Sequence, residues 1–311
     1  MAIFPISEFA CPRCRTPLEQ SGPDELYCQV DGLDFFRREG IWCMLLPERE
    51  RVFNQFIKDY ETIRRAEGRG SEDSVYYRSL PYLDSGRNLA SDWRIRAASY
   101  EALIKRVILP IERQNGETLR VVDLGAGNSW LSYRMAQRGH QAAAVDLLTN
   151  DFDGLACKKF YELDFSSAQA EFDRLPFVNR CADIIVFNAS LHYSLDYKVT
   201  LTEAQRVLAD SGILVILDSP VYHDAESGAR MVEEREAEFR QKYGLASNAL
   251  PSQNYLSYQG LAHLADALHL QFQIITPEYG LRWRLRPWLA SLSRRREPAK
   301  FHLIIGRKSI L

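Results

Sequence analysis

The chain is nearly devoid of net charge: 39 Lys and Arg against 41 Asp and Glu leave −2 over 311 residues. No global field therefore draws it to nucleic acid or anionic lipid, and any such partner has to be met by a local patch. No apolar run approaches the roughly 18 residues of a membrane span. The opening Met1-Ala2-Ile3-Phe4-Pro5 also lacks the basic start and apolar stretch of a secretory signal. A cytoplasmic chain without a membrane partner is the expectation. Glycine (17) and proline (13) are too few for collagen-like or low-complexity sequence, so a globular body with a substantial core is left. Cysteine is present but unevenly spread. Of Cys11, Cys14, Cys28, Cys43, Cys157 and Cys181, four fall within the first 43 residues, which suits a metal site better than a chain-wide disulfide framework.

Residues 8–46 hold short apolar stretches broken at Ser21-Gly22-Pro23-Asp24, Asp31-Gly32 and Glu39-Gly40, the pattern of a few short strands. Residues 48–87 are charged and tyrosine-rich and read as a helical cover or linker. Leu89, Trp93, Ala97, Tyr100, Ile104 and Ile108 then recur at steps of three and four, predicting a helix over 88–109 that Pro110 ends. From residue 119, β-rich runs alternate with helical patterns, the signature of parallel βαβ units. Strands are expected at 119–124, 141–146, 159–163, 182–189, 213–218, 269–276 and 301–307, with helices at 130–138, 199–209 and 257–268. Residues 221–256 exceed an ordinary connection and suggest a lid or substrate loop. The domain reading is thus 1–47, 48–87 and 88–311.

The most informative stretch is Val121-Val122-Asp123-Leu124-Gly125-Ala126-Gly127-Asn128-Ser129-Trp130, a buried strand entering a helix through Gly-x-Gly. Glycines there let the backbone approach a ligand at the helix N-terminus. The neighbours select the ligand. A dinucleotide fingerprint wants a small residue where Trp130 stands, and Asp123 would repel a pyrophosphate but suit an ammonium group. Asp146, 19 residues beyond Gly127 and followed by Leu147, is placed for a ribose diol. Asp164 could accept from an exocyclic amine, with Phe165 near the purine. Gly125, Ala126, Gly127 and Asn188 complete a site for a nucleoside without phosphates.

These residues resemble class I S-adenosylmethionine-dependent methyltransferases, most clearly over 88–220. The match rests on residues 121–127 and on Ala144-Val145-Asp146, Leu163-Asp164-Phe165, Leu175-Pro176-Phe177, residues 182–192 and residues 206–212. Ser129 stands where that family often has glycine. The resemblance implies S-adenosylmethionine as cofactor and an α/β, Rossmann-like sheet of seven strands, order 3-2-1-4-5-7-6, with strand 7 antiparallel. The acceptor is then expected beyond strands 4 and 5, among Ser190, Tyr193, Asp218 and Tyr222, with Tyr76, Tyr77 and Arg78 of the cover also facing it. His192, then His223, is the candidate base or positioning group, because imidazole titrates near neutral pH. No Asn/Asp-Pro-Pro-aromatic run follows strand 4, so the pattern of adenine-N6 or glutamine-N5 methylation is missing.

Cys11-Pro12-Arg13-Cys14 is a zinc-knuckle pair, and Cys28 with Asp31 forms a second half-site in which a carboxylate replaces the fourth thiolate. Cys43 is the rival fourth ligand. Residues 8–47 resemble the short zinc ribbon of activator subunits of tRNA and protein methyltransferases, and that fused to ribosomal RNA guanine-N1 methyltransferases. Residues 13–38 carry little positive charge, so RNA reading by this segment is not supported. The leading expectation is methyl transfer to an oxygen or nitrogen of a small molecule. The alternatives are an RNA methyltransferase, favoured if Arg94, Arg96 and Arg282 to Arg296 share one face, and a non-catalytic cofactor-binding scaffold.

Overall fold

Four short strands form an antiparallel meander: β1 (Glu19–Gly22), β2 (Glu25–Cys28), β3 (Leu33–Arg38) and β4 (Ile41–Cys43). Between Arg38 and Ile41, Glu39 (φ 50°) and Gly40 (φ 79°) are both left-handed, as a two-residue hairpin turn requires. The computed structural model describes residues 3–84, 89–115, 118–246, 250–292 and 296–309.

Two helices follow. α1 (Pro47–Ala66) begins with proline in its first turn, where the missing N–H costs nothing, and buries Phe53, Phe56 and Ile63. α2 (Ser74–Ser79) is capped by Asp73, which accepts from Val75 N–H. α3 (Ala90–Leu103) then runs through a π-helical turn at Ile104–Ile108 into α4 (Leu109–Asn115). Pro110 therefore does not end the helix. The wider turn absorbs the proline, Leu109 N–H reaching Ile104 C=O, so that Pro110 sits in the first turn of the next segment. Residue 88, the expected start, lies outside the described residues.

The remaining elements alternate: β5 (Arg120–Leu124), α5 (Trp130–Gln137), β6 (Gln141–Asp146), β7 (Ser166–Gln169), β8 (Ala182–Asn188), α6 (Tyr197–Val207) and β9 (Leu208–Leu217). After them come β10 (Val221–Tyr222), α7 (Ala225–Tyr243), β11 (Leu256–Ser257), α8 (Tyr258–Leu268), β12 (Leu270–Ile275), α9 (Leu281–Leu292) and β13 (Leu303–Lys308). Strands β7-β6-β5-β8-β9-β13-β12 take the order expected for the seven-stranded sheet, with β13 antiparallel to both neighbours. The sheet is larger than expected, because β4 pairs in parallel with β7 and the meander extends it to 11 strands.

The third core strand differs from its expected place. Residues 155–160 form a 3₁₀ segment, and the strand is the polar Ser166–Gln169, seven residues after the expected start. Its weak β-propensity is overridden because it is paired on both sides, to β6 and β4. Alternate residues of the central strands enter opposite cores: Val122, Ile185 and Phe187 on one face, Val121, Ile184 and Val186 on the other. With both faces covered, the carboxyl ends of β5, β6, β7 and β8 remain as the place for a crevice.

Candidate active site

The turn after β5 is shaped by its neighbours. Gly125 (φ 73°), Gly127 (φ 53°) and Ser129 (φ 65°) are all left-handed. A Cβ on Gly125 would lie 2.3 Å from that of Ser190, so glycine is required where the loops after β5 and β8 touch. Ser190 Oγ locks this contact by donating to Leu124 C=O at 2.5 Å. Asp146 holds the far side: its carboxylate accepts from Gly127 N–H (2.7 Å) and Leu148 N–H (2.8 Å). Burial raises its pKa above the usual carboxylate range, against the pull of those two N–H groups. Each oxygen keeps a lone pair for a further donor such as a sugar hydroxyl.

Beneath the loop, Asp123 is 1% exposed and burial pushes its pKa up to about 7. One oxygen accepts from Ser132 Oγ at 3.0 Å; the other has no hydrogen-bond partner among the described residues. The carboxylate is thus buried and half-satisfied beneath the glycine loop, and it does not itself line the cavity above.

A cavity opens at these strand ends. Of the expected residues it is lined by Gly125, Ala126, Gly127, Asp146, Leu147, Asn188, Ser190 and Tyr193. Glu171, Phe172 and Asp173 also line it, and were missed because they follow the displaced third strand. So do Phe53, Tyr60, Arg64, Arg69, Trp93 and Arg96, contributed by α1, α3 and the segment between α1 and α2. Their signal was an arginine recurring among aromatics ahead of the first core strand, but periodicity does not say which face turns inward.

Other expected residues lie elsewhere. Asp164 precedes its strand instead of following it and pairs with Lys158 at 2.6 Å, while Phe165 is fully buried in the core. Neither lines the cavity. Tyr76 is packed in the core; Tyr77 donates to Phe152 C=O and stacks on Phe160, and Arg78 pairs with Glu162. Asp218 accepts from Ser99 Oγ at 2.5 Å, and Tyr222 is buried against Tyr255. Neither histidine reaches the cavity wall. His192 is buried beside Ser219, and burial, reinforced by Arg235, Arg96 and Arg64, lowers its pKa to about 3, so it is neutral at physiological pH. His223 is exposed and stacks on Tyr258.

The cavity's cations are not equivalent. Arg64 pairs with Asp153 at 3.1 Å and lies over the Tyr60 ring, and Arg69 pairs with Glu67 at 2.7 Å. Arg96 has only the Trp93 ring, 5.1 Å away, and no hydrogen bond or ion pair among the described residues. Burial lowers its pKa, and the neighbouring Arg69 pushes the same way. An anion in the cavity would relieve both effects. Arg49 clamps Glu171 through contacts of 2.6–3.0 Å, tying α1 to the end of β7.

In the N-terminal segment, the ligand atoms of Cys11, Cys14, Cys28 and Asp31 all lie within 4.8 Å of one another. Cys11 Sγ–Asp31 Oδ2 is 3.1 Å, Cys14 Sγ–Cys28 Sγ 3.5 Å and Cys28 Sγ–Asp31 Oδ2 3.8 Å. A tetrahedral ion with bonds of about 2.3 Å to sulfur has ligand–ligand edges of about 3.8 Å, so the set suits such an ion. Cys43 is not part of it; its thiol points to Ile41 C=O.

Residues 122–216 match the family described as "Methyltransferase domain". The malonyl-[acyl-carrier protein] O-methyltransferase of Geobacter sulfurreducens is 27% identical over 126 residues, 40% of this chain and 47% of that protein. A Coxiella burnetii protein of the same description is 29% identical over 115 residues, 37% of this chain and 39% of its own. The chain spans about half the length, or less, of the curated relatives it matches. Among solved structures, a chain in the complex of the Haloferax volcanii Trm112 methyltransferase activator with a methyltransferase superposes with TM-score 0.49 at 16% identity, covering 77% of this chain and 98% of that one. An S-adenosylmethionine-dependent methyltransferase from Thermotoga maritima gives 0.47 at 15%, with 76% and 98% covered. Residues 122–216 carry the match to a methyltransferase domain.

Proposed function

We propose that this protein transfers a methyl group from S-adenosylmethionine to a carboxylate oxygen of a small-molecule acid. The observation that carries the acceptor is Arg96, a guanidinium in the cavity that makes no hydrogen bond or ion pair among the described residues, Asp218 and Asp153 acting on it only at longer range. The cofactor supplies an activated methyl on a sulfonium. Asp146 would take its ribose, the turn at Gly125–Gly127 its backbone approach, and Asp123 its ammonium. Arg96 and the aromatic wall would orient the acceptor for in-line attack and exclude water, and such positioning accounts for much of the acceleration, about 7–11 kcal/mol in well-oriented systems.

A carboxylic acid is already ionised at neutral pH, so its oxygen needs no general base. That agrees with a cavity wall without histidine. The relatives are described as acting on malonyl-[acyl-carrier protein], and a malonyl group ends in a free carboxylate, which supports methylation at a carboxylate oxygen. We further infer that zinc occupies the Cys11, Cys14, Cys28 and Asp31 set in a structural role, since four protein ligands leave no open position.

The test is transfer of labelled methyl to a panel of carboxylic acids and to matched amides and amines. Base-labile ester products with the acids are expected. Arg96→Gln should raise KM for the acid about tenfold or more, while affinity for S-adenosylhomocysteine stays within about twofold. Equal transfer to amines, or an Arg96→Gln effect confined to cofactor affinity, would reject the carboxylate assignment.

A further inference from the structure

The connection between β12 and β13 carries a helix that the catalytic reading leaves unused. α9 has three arginines, Arg282, Arg284 and Arg286, and no acidic residue, in a chain of net charge −2. Its inner side is anchored. Trp283 stacks on Phe301 at 5.4 Å and meets Tyr279 at 5.0 Å, and the Arg286 guanidinium lies 3.9 Å over the Trp283 ring. Tyr279 in turn contacts Ser99 Oγ at 2.8 Å, beside Asp218 at the end of β9.

The outer side is apolar. Leu281 is 74% exposed, Leu285 51%, Trp288 62% and Leu289 49%, at spacings of four, seven and eight that place them in one stripe. Arg282 and Arg284, both exposed, fall on its two borders. A solvated charged face has no use for such a stripe, and a nucleic acid bound through the arginines would leave it in water. Leucines and a tryptophan flanked by arginines match the boundary between headgroups and acyl chains. No described helix is long and apolar enough to cross a membrane, so the helix would lie on the surface. Leu303, the first residue of β13, pairs with Leu217, the last of β9, so α9 stands at the carboxyl edge of the sheet where the cavity opens.

We infer that α9 docks on an anionic phospholipid surface, with Leu281, Leu285 and Trp288 immersed among the headgroups and Arg282 and Arg284 against the phosphates. This holds the cavity edge of the sheet near the bilayer, where amphipathic acids are concentrated.

The experiment mixes the full chain with vesicles of phosphatidylcholine and phosphatidylglycerol in a roughly two-to-one ratio, and with pure phosphatidylcholine vesicles. Flotation with the anionic vesicles only is expected, together with a blue shift of tryptophan emission that Trp288→Phe removes. Leu285→Glu should weaken binding about tenfold or more, and Arg282→Gln with Arg284→Gln should weaken it and blunt its salt dependence. These are surface positions, and an unchanged circular dichroism spectrum separates lost docking from lost folding. No flotation with anionic vesicles, or undiminished flotation of Leu285→Glu, would overturn the inference. So would an apolar stripe that instead drives concentration-dependent dimerisation abolished by Leu285→Glu. None of these readouts depends on which acceptor is methylated.

Discussion

Asp123 concentrates the tension of the candidate site in one side chain. Its carboxyl is lodged under the glycine turn with one oxygen lacking a partner among the described residues, and burial raises its pKa to about 7 from an unfolded value near 4. Because the folded state holds its proton through this window and the unfolded state has released it, stability falls as pH rises from about 4 to about 7. Asp123→Asn keeps an acceptor for Ser132 and removes the ionisation. The variant should therefore be more stable than the parent at pH 8, by about 4 kcal/mol at most, and lose that advantage towards pH 4. Denaturant unfolding at both values checks it; an advantage that grows on acidification would contradict the burial argument.

At the scale of elements, the N-terminal meander is held in two ways. The Cys11, Cys14, Cys28 and Asp31 cluster gathers its turns, and Phe9 and Trp42, in the same core as Cys11 and Cys28, are buried against the body, with Phe9 packing on Phe177 at 5.2 Å. The purified chain should contain about one zinc ion, since the donor set is complete for tetrahedral coordination. Asp31→Ala should lose the metal and melt several degrees lower, whereas Asp31→Cys should retain it. Metal analysis and thermal melts decide this; a zinc-free parent would reduce the cluster to hydrogen-bonded packing.

For the whole molecule, the consequence of β4 pairing with β7 is that meander and body share one sheet and one of its two cores. A module on a linker would unfold by itself, but strands joined edge to edge with interdigitated aromatics should unfold together. Calorimetry of the full chain should show a single transition whose midpoint rises with S-adenosylhomocysteine, by an amount equivalent to about 2.7 kcal/mol at a hundred times the dissociation constant. A separate early transition unaffected by the ligand would mean that the meander is independent.

Most of the core strands, the glycine turn and Asp146 were legible in the amino-acid sequence, because each rests on local chemistry: apolar runs of strand length, a backbone that must turn left-handed, an acid at a strand end; the order of the strands came only from the resemblance to methyltransferases. The four metal-type side chains were legible by spacing. What the sequence could not determine was whatever depends on a neighbour distant along the chain. Ser166–Gln169 is a strand only because β4 and β6 flank it, so the acids beyond it were misplaced and Asp164 was assigned a site it does not reach. His192 was chosen for its imidazole, and only burial among three arginines shows that it stays neutral. Arg96 entered the sequence reading only as part of a possible RNA-binding face with Arg94 and Arg282 to Arg296. Only the packing of α3 beside the strand ends turns it into the cavity, because long-range contact, and not local pattern, decides which face of a helix is buried.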